Sequence, residues 1–283
     1  MTEAQTNRIA FQGEMGAYSH QACREVYPEM EPFPCATFED AVAAVNNGAA
    51  DLAMLPVENS LYGRVADIHR LLPESGLYII AEHFVPVRIS LLGVPGAQLS
   101  DIKVAQSHVV LLGQCRKFLK EHGIKSEVHA DTAGSAKSVA EGGDKTQGAL
   151  ASQLAGEIYG LDPLATDIQD AAHNTTRFLV MSPRRIESDP RQGRSMTSFV
   201  FQVRNVPAAL YKAMGGFATN GVNMVKLESY MVGGSFTATQ FYADIEGHPE
   251  HDNVQLAMEE LGFFTSFLKV LGAYPRSEAR NDR

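Results

Sequence analysis

The chain has 283 residues, 45% of them hydrophobic and 20% charged, with a formal net charge of −9. That length exceeds one small domain, and the composition is that of a soluble globular protein. No run approaches the roughly 18–20 apolar residues of a membrane helix, and Met1 to Asn7 is too polar for a signal peptide, so no membrane partner and a cytoplasmic location are expected. The negative balance argues against nucleic acid as a partner, and an anionic substrate would need positive charge concentrated locally. Cys23, Cys35 and Cys115 are odd in number, widely spaced and without a CxxC pair, so they read as buried hydrophobes.

Short β-like runs alternate with helical patterns through the N-terminal two thirds. Arg8-Ile9-Ala10-Phe11 leads into the turn Gly13-Glu14-Met15-Gly16, and a helix follows from about Ser19 to Val26. Phe38 to Val45 has helical spacing, with Thr37 as N-cap and Gly48 as stop. Asp51 to Leu55 reads as a strand broken by Pro56, Val65 to Leu72 as a helix, and Leu77 to Ala81 as a strand. Phe84 to Val94 and Ile102 to Gln106 are β-like, Val109 to His122 is a helix ended by Gly123, and Ile124 to His129 is a short strand. Thr132 opens another helix, and Leu150 to Tyr159 forms the next. Such alternation predicts an α/β fold of parallel sheets covered by helices, with ligands at loops beyond the strand ends.

Ser182 to Ser195 is polar, rich in turn formers and without periodicity, which marks a linker. Beyond it, Thr197 to Val203 is a strand and Pro207 at N1 opens a helix running to Asn220-Gly221. Val222 to Tyr230 and Ser235 to Asp244 are strands joined through Gly233-Gly234, Asn253 to Leu261 is a helix, and Phe263 to Leu271 is a final strand. That order is βαββαβ, a ferredoxin-like plan.

Three segments could carry chemistry. Gly13-Glu14-Met15-Gly16-Ala17-Tyr18-Ser19 joins a strand to a helix, where glycines admit a ligand and N–H groups favour an anion. An ordinary tight turn explains the same residues, and the absence of GxGxxG leaves a dinucleotide without a motif. Pro56-Val57-Glu58-Asn59-Ser60 places three polar side chains past a strand end, for a ligand or for capping. In Asn174-Thr175-Thr176-Arg177-Phe178, Arg177 offers a planar fork for a carboxylate, Thr176 a hydroxyl for a departing oxygen and Phe178 a wall. If the strand alternates, Thr176 and Phe178 share one face and Arg177 takes the other; a polar strand entrance would read the same way. The histidines lack HxxxH or HExxH spacing, so no metal is expected. Ser107 and His108 are adjacent rather than facing, and Gly142-Gly143-Asp144-Lys145-Thr146 reads as a surface turn.

Together these motifs resemble the prephenate dehydratases over nearly the whole chain. Thr176-Arg177-Phe178 is similar to that family's active-site signature, Pro56 to Ser60 to its Pro-hydrophobic-Glu-Asn-Ser loop, and Gly13-x-x-Gly16-x-Tyr18-Ser19 to its N-terminal turn. Asp131-Thr132-Ala133, Gln114-Cys115 and the stretch from Tyr159-Gly160-Leu161 to Ile168-Gln169-Asp170 agree more loosely. The C-terminal module resembles an ACT domain, with Ala209-Leu210 in place of Gly-Ala-Leu, Glu228-Ser229 opening Glu-Ser-Arg-Pro, and Asn223, Lys226 and Leu271 to Pro275 also fitting. The chain departs from the pattern at Ala208, at Tyr230-Met231, and at Val109-Val110-Leu111-Leu112 after His108.

The resemblance implies a two-lobed, periplasmic-binding-protein-like catalytic domain over 7–183, a linker over 184–195 and an ACT domain over 196–275. It implies conversion of prephenate to phenylpyruvate in phenylalanine biosynthesis, without a cofactor. Thr176 would donate to the leaving hydroxyl and Arg177 would take the pyruvyl carboxylate, with Gly16, Ser19, Glu58, Asn59, Ser60, Asn174 and Phe178 binding substrate. Ala209, Leu210, Asn223, Glu228 and Ser229 would hold regulatory phenylalanine, and ACT domains would pair the chain into a homodimer or homotetramer. Arogenate dehydratases share these motifs, and a non-catalytic carboxylate or amino-acid sensor is the rival of another class. A fused chorismate mutase is not expected, because only Met1 to Asn7 precedes the first strand.

Overall fold

The computed structural model describes residues 6–186, 188–204, 206–231 and 238–280. Packing divides the chain into two units. One takes the residues up to Arg64 with Phe84–Phe178, and the other takes Val65–His83 with the residues from Leu179 onward.

The chain opens with β1 (Arg8–Gln12), α1 (Tyr18–Val26), β2 (Glu31–Cys35), α2 (Phe38–Asn46), β3 (Leu52–Asn59) and β4 (Gly63–Arg64). Then come α3 (Ala66–Leu71) and β5 (Tyr78–Pro86). The second lobe runs β6 (Ser90–Gly93), β7 (Val104–Ser107), α4 (Val109–Gln114), α5 (Arg116–Glu121), β8 (Lys125–Val128), α6 (Thr132–Gly142), β9 (Gln147–Ala151), α7 (Gln153–Tyr159) and β10 (Asp162–Ala165), before β11 (Thr175–Ser182) returns. The first sheet has the order β2-β1-β3-β11-β5, with β4 beside β3, and the second has the order β10-β6-β9-β7-β8. Ile9, Phe11, Ala53 and Leu55 are fully buried in the first lobe, as are Ile89, Leu91, Ala105 and Leu150 in the second. The two-lobed α/β plan therefore stands. Parallel pairing holds for β1 with β2 and β3 and for β7 with β8 and β9, but β6 is antiparallel to both β9 and β10.

Several expected elements differ. β3 runs through Pro56 and on to Asn59, beyond its pairing with β1, which ends at Met54. β2 holds Pro32 and Pro34 at an edge, two residues apart, so both missing N–H groups fall on the same side of the strand. The single helix expected from Val109 is two, parted at Cys115. Asp170 holds the break from both sides, its N–H donating to the Gln114 carbonyl and its carboxylate accepting from Lys117 N–H. Leu150 begins no helix. It lies in β9, and Ser152 caps α7 by accepting from Ala155 N–H.

The second unit carries β12 (Ser195–Val203), α8 (Ala209–Thr219), β13 (Met224–Met231), β14 (Ala238–Glu246), α9 (Asp252–Phe264) and β15 (Thr265–Pro275) in an antiparallel sheet of order β13-β14-β12-β15. This is the expected βαββαβ plan, closed over Phe199, Phe201, Phe217, Phe241 and Leu261. Pro207 does not open α8. Ala208 precedes the helix in left-handed backbone, φ 60°, where glycine would cost less. α9 continues through Phe264, so the last strand starts at Thr265. The Gly233-Gly234 turn lies outside the described residues.

Val65–His83 packs into the same unit. His69 meets the Tyr242 ring edge-on at 5.0 Å, Lys269 Nζ donates to the Pro73 carbonyl at 2.7 Å, and Arg280 grips buried Glu82 at 2.7 and 2.8 Å. At Gly272 the backbones come so close that an added Cβ would overlap the Ile79 carbonyl. Gly272→Ala is expected to destabilise the fold by about 1–3 kcal/mol, the usual cost of forcing an extra carbon into a filled space. A denaturation midpoint equal to wild type would contradict this packing.

Candidate active site

Asn59 ends β3 at the turn into β4. Its Oδ1 accepts the backbone N–H groups of Leu61 and Tyr62 at 2.9 and 3.1 Å, the self-capping turn that asparagine favours. A backbone N–H can only donate, so the oxygen end of the Asn59 amide is fixed and its Nδ2 must donate as well. It donates to Asn174 Oδ1 at 2.8 Å and to Thr176 Oγ1 at 3.0 Å. The orientation then propagates. Asn174, 3% exposed, has its oxygen occupied and gives its Nδ2 to Gln114 Oε1 at 2.9 Å. Thr176 receives a hydrogen bond on oxygen, and its own proton remains to be donated.

Glu58 and Asn59 are neighbours on β3, as are Thr176 and Arg177 on β11, so alternation sends each pair to opposite faces. Asn59 meets Thr176 on one face. On the other, Arg177 Nη1 pairs with Glu58 Oε1 at 2.9 Å. Arg177 is 2% exposed and Phe178 1%, so both are buried. One arm of the guanidinium fork expected to meet a carboxylate thus meets the Glu58 carboxylate, and the Phe178 ring is buried. Ser60 is also employed structurally, its Oγ donating to the His173 carbonyl and accepting from Thr175 N–H at 2.8 and 3.0 Å.

The Gly13–Ser19 turn is tied into the fold by its own backbone. Gly16 N–H donates to His20 Nδ1 at 2.9 Å, and Gly16 C=O accepts from Ser152 Oγ at 2.6 Å. Gly16 has φ 93°, and a Cβ there would stand 2.7 Å from the Ala155 Cα. Tyr159 hydroxyl donates to the Met15 carbonyl at 2.9 Å, so this turn joins the first lobe to α7. Burial, reinforced by the charge of Arg24, lowers the His20 pKa to about 4, which keeps Nδ1 an acceptor at neutral pH. Ser19 is buried in the first turn of α1.

Beside the amide chain lies a cavity of about 240 Å³ lined by Tyr62, Gly113, Gln114, Gln169, Asp170 and Asn174. Gln114 and Gln169 lie in stretches that match the family pattern only loosely, and the nearest signal for them is their position beside Cys115 and Asp170. A larger cavity of about 550 Å³, reaching Arg24, Arg88 and Glu157, shares no residue with the chain leading to Thr176. Burial raises the Cys115 thiol to about 12, which leaves it protonated and a poor nucleophile. Ser107 donates to the Leu150 carbonyl at 2.7 Å, while His108 caps α4. Among the described residues no cluster of three His, Cys, Asp or Glu could hold a metal ion.

The positions marked for phenylalanine are dispersed in role. Ala209 is buried at the start of α8 and Leu210 packs on the core. Asn223 donates to Glu246 at 3.0 Å, the first of the contacts that hold that carboxyl below its usual pKa. Glu228 pairs with Lys226 at 3.2 Å, and Ser229 is exposed on the alternate face of β13.

The family model described as prephenate dehydratase matches residues 9–186. A bifunctional N-acyl-homoserine lactone acylase/prephenate dehydratase of Komagataeibacter europaeus is 51% identical, over 96% of this chain and 97% of the relative. An arogenate dehydratase/prephenate dehydratase of Arabidopsis thaliana chloroplasts is 39% identical over 96% of this chain and 73% of its own length. The solved prephenate dehydratase of Arthrobacter aurescens in complex with L-Phe superposes with a TM-score of 0.86 at 31% identity, covering 95% of this chain and 90% of that one. With its fold, its motifs and these relatives in agreement, the chain belongs to the prephenate dehydratase family.

Proposed function

We propose that this protein converts prephenate to phenylpyruvate, water and carbon dioxide, supplying phenylalanine synthesis in the cytoplasm. The observation that carries the reading is the fixed polarity at Thr176, whose oxygen is taken by Asn59 Nδ2. In the reaction the bond to the ring carboxylate breaks and carbon dioxide leaves. The electron pair passes through the ring, the opposite carbon–hydroxyl bond breaks, and the departing hydroxide takes a proton to become water. Aromatisation drives the step, so the site must chiefly orient the substrate and help the hydroxyl leave. Thr176 donates to that oxygen. The hydrogen bond it receives from Asn59 polarises its own O–H and makes it a better donor. A threonine hydroxyl is a weak acid, so its part is to stabilise the leaving oxygen and pass on a proton rather than to originate one.

Arg177 acts in this reading as a positioning residue. Paired with Glu58 under β11, it keeps Thr176 in register with Asn59. Strong stabilisation of the ring carboxylate would oppose its departure, and a buried, ion-paired guanidinium avoids that. The catalytic domain spans 7–183, the linker 184–195 and the ACT domain 196–275, an assignment supported by the family match to 9–186. Cytoplasmic placement is supported by free Cys23, Cys35 and Cys115. No described helix is long and apolar enough to cross a membrane.

The ACT domain binds phenylalanine and pairs with a second copy, as dimer or tetramer. The L-Phe complex of the Arthrobacter relative supports the first part. Support for the second is the edge strand β13, whose Val225, Leu227 and Met231 are exposed. Arogenate is the alternative substrate, as relatives carry that name. A second activity, hydrolysis of N-acyl-homoserine lactones, is favoured by the 51% identity to a relative named for it; absence of fatty-acid release from such a lactone would remove it.

Purified protein is expected to release phenylpyruvate from prephenate, and Thr176→Val to lower kcat by about 10²-fold with an unchanged melting transition. Near-normal turnover in that variant would take Thr176 out of the mechanism. Asn59→Asp keeps acceptors for Leu61 and Tyr62 but replaces the donor to Thr176, so the hydroxyl turns its proton towards the new carboxylate. A loss of similar size, roughly 10²-fold, is expected there, whereas retained kcat would refute the fixed polarity. Phenylalanine added to the wild-type assay should slow it and give binding heat in calorimetry; no heat would remove the regulatory role alone.

A further inference from the structure

With Arg177 paired to Glu58 on the far face of β11, neutral donors stand on the side of the Asn59–Asn174 chain. Gln114 and Gln169 line the same cavity beside the Asn59–Asn174 chain. Gln114 is 6% exposed, and its Oε1 is taken by Asn174 Nδ2 at 2.9 Å. Gln169 Oε1 accepts the backbone N–H of Ile89 at 2.9 Å, and that donor cannot be reversed. Both amides therefore have their oxygens committed, one through a chain anchored on the Leu61 and Tyr62 N–H groups and one directly. Each has its Nε2 left to donate. Gln114 stands at the end of α4 because the helix breaks at Cys115, and Ile168 N–H to the Ile89 carbonyl fixes the Gln169 segment at 3.0 Å.

We propose that Gln114 and Gln169 form a neutral two-donor cradle for the ketone oxygen of the substrate's pyruvyl tail, selecting oxo acid over amino acid. The inference rests on the functional reading above and assigns its substrate class. The leaving hydroxyl and the tail stand at opposite ends of the cyclohexadiene ring, as Thr176 and Gln114 stand at opposite ends of the amide chain. An α-ammonium in place of the ketone would set donors against donors. Asp170 also lines this cavity and would attract an ammonium, while disfavouring a second carboxylate there. It is exposed and its Oδ1 accepts from Lys117 N–H, so water screens it, whereas the Gln114 amide is nearly buried and less screened. The less screened Gln114 donor, with Gln169 beside it, sets the preference.

The test compares wild type, Gln114→Glu and Gln169→Glu with prephenate and with arogenate. Each glutamate keeps the acceptor oxygen and exchanges the donor for an acceptor. Wild type should have the higher kcat/KM for prephenate. In each variant KM for prephenate should rise roughly tenfold or more, with less change for arogenate, so that the ratio falls. Variants that melt like wild type and keep the ratio would overturn the cradle. So would a preference for arogenate in wild type, or a loss confined to kcat. Should a glutamate variant fail to fold, Gln114→Met and Gln169→Met remove the donor without adding charge, and an unchanged prephenate KM there overturns it equally. If wild type turns over neither substrate, the functional reading fails. Calorimetry with phenylpyruvate still judges the cradle: weaker binding in the variants supports it, while equal binding, or none to wild type, rejects it.

Discussion

A side-chain amide buried among other amides has no inherent direction, since its two ends are alike in shape. The site depends on breaking that symmetry, and two backbone N–H groups, those of Leu61 and Tyr62, do so at Asn59. From there the donor sense is forced outward along Asn174 to Gln114 and sideways to Thr176. Each link contributes only about 0.5–1.5 kcal/mol net, but reversal of any one would leave a nearly buried donor facing a donor. The functional consequence is therefore larger than the energy of the bonds. A threonine that could as easily accept becomes one that donates.

The charged groups are kept on the other face. Arg177 and Glu58 neutralise one another below β11; the guanidinium is buried and the carboxylate partly exposed, so the pair adds little to stability beside the cost of leaving Arg177 unpaired. In the proposed mechanism, neutral donors on the Thr176 face suit a reaction in which a carboxylate must leave, because a strong cation there would hold the ground state as firmly as the transition state. The net charge of −9 is then less of an obstacle, since orientation comes from hydrogen bonds at short range.

Much of this was legible in the sequence. Alternating strands and helices gave an α/β plan, the family resemblance added its two lobes, the residues after Ser195 gave the βαββαβ module, and Asn59, Asn174 and Thr176 stood in recognisable motifs. What was hidden depends on partners distant in sequence. Local pattern cannot say that Arg177 faces Glu58, that Gly16 lies against Ala155, or that an amide at 114 is oriented by a turn at 61. The missed elements have local causes. Pro32 and Pro34 disguise β2, the Ser152 cap starts α7 inside a run that reads as one helix, and Val109 to His122 keeps helical spacing across a break imposed by Asp170. Pro207 misled because a proline suited to N1 serves equally in the turn before Ala208.

Those two prolines have a consequence beyond concealment. An open sheet edge is a template on which a stray strand can add, and exposed donors are what an incoming chain would grip. β2 forms the outer margin of the first sheet, and its prolines remove donors of the same parity along it. The catalytic lobe thereby carries its own protection against runaway strand addition, without spending a helix or a row of lysines on the task. The residues that make β2 hard to recognise as a strand also keep it from recruiting another.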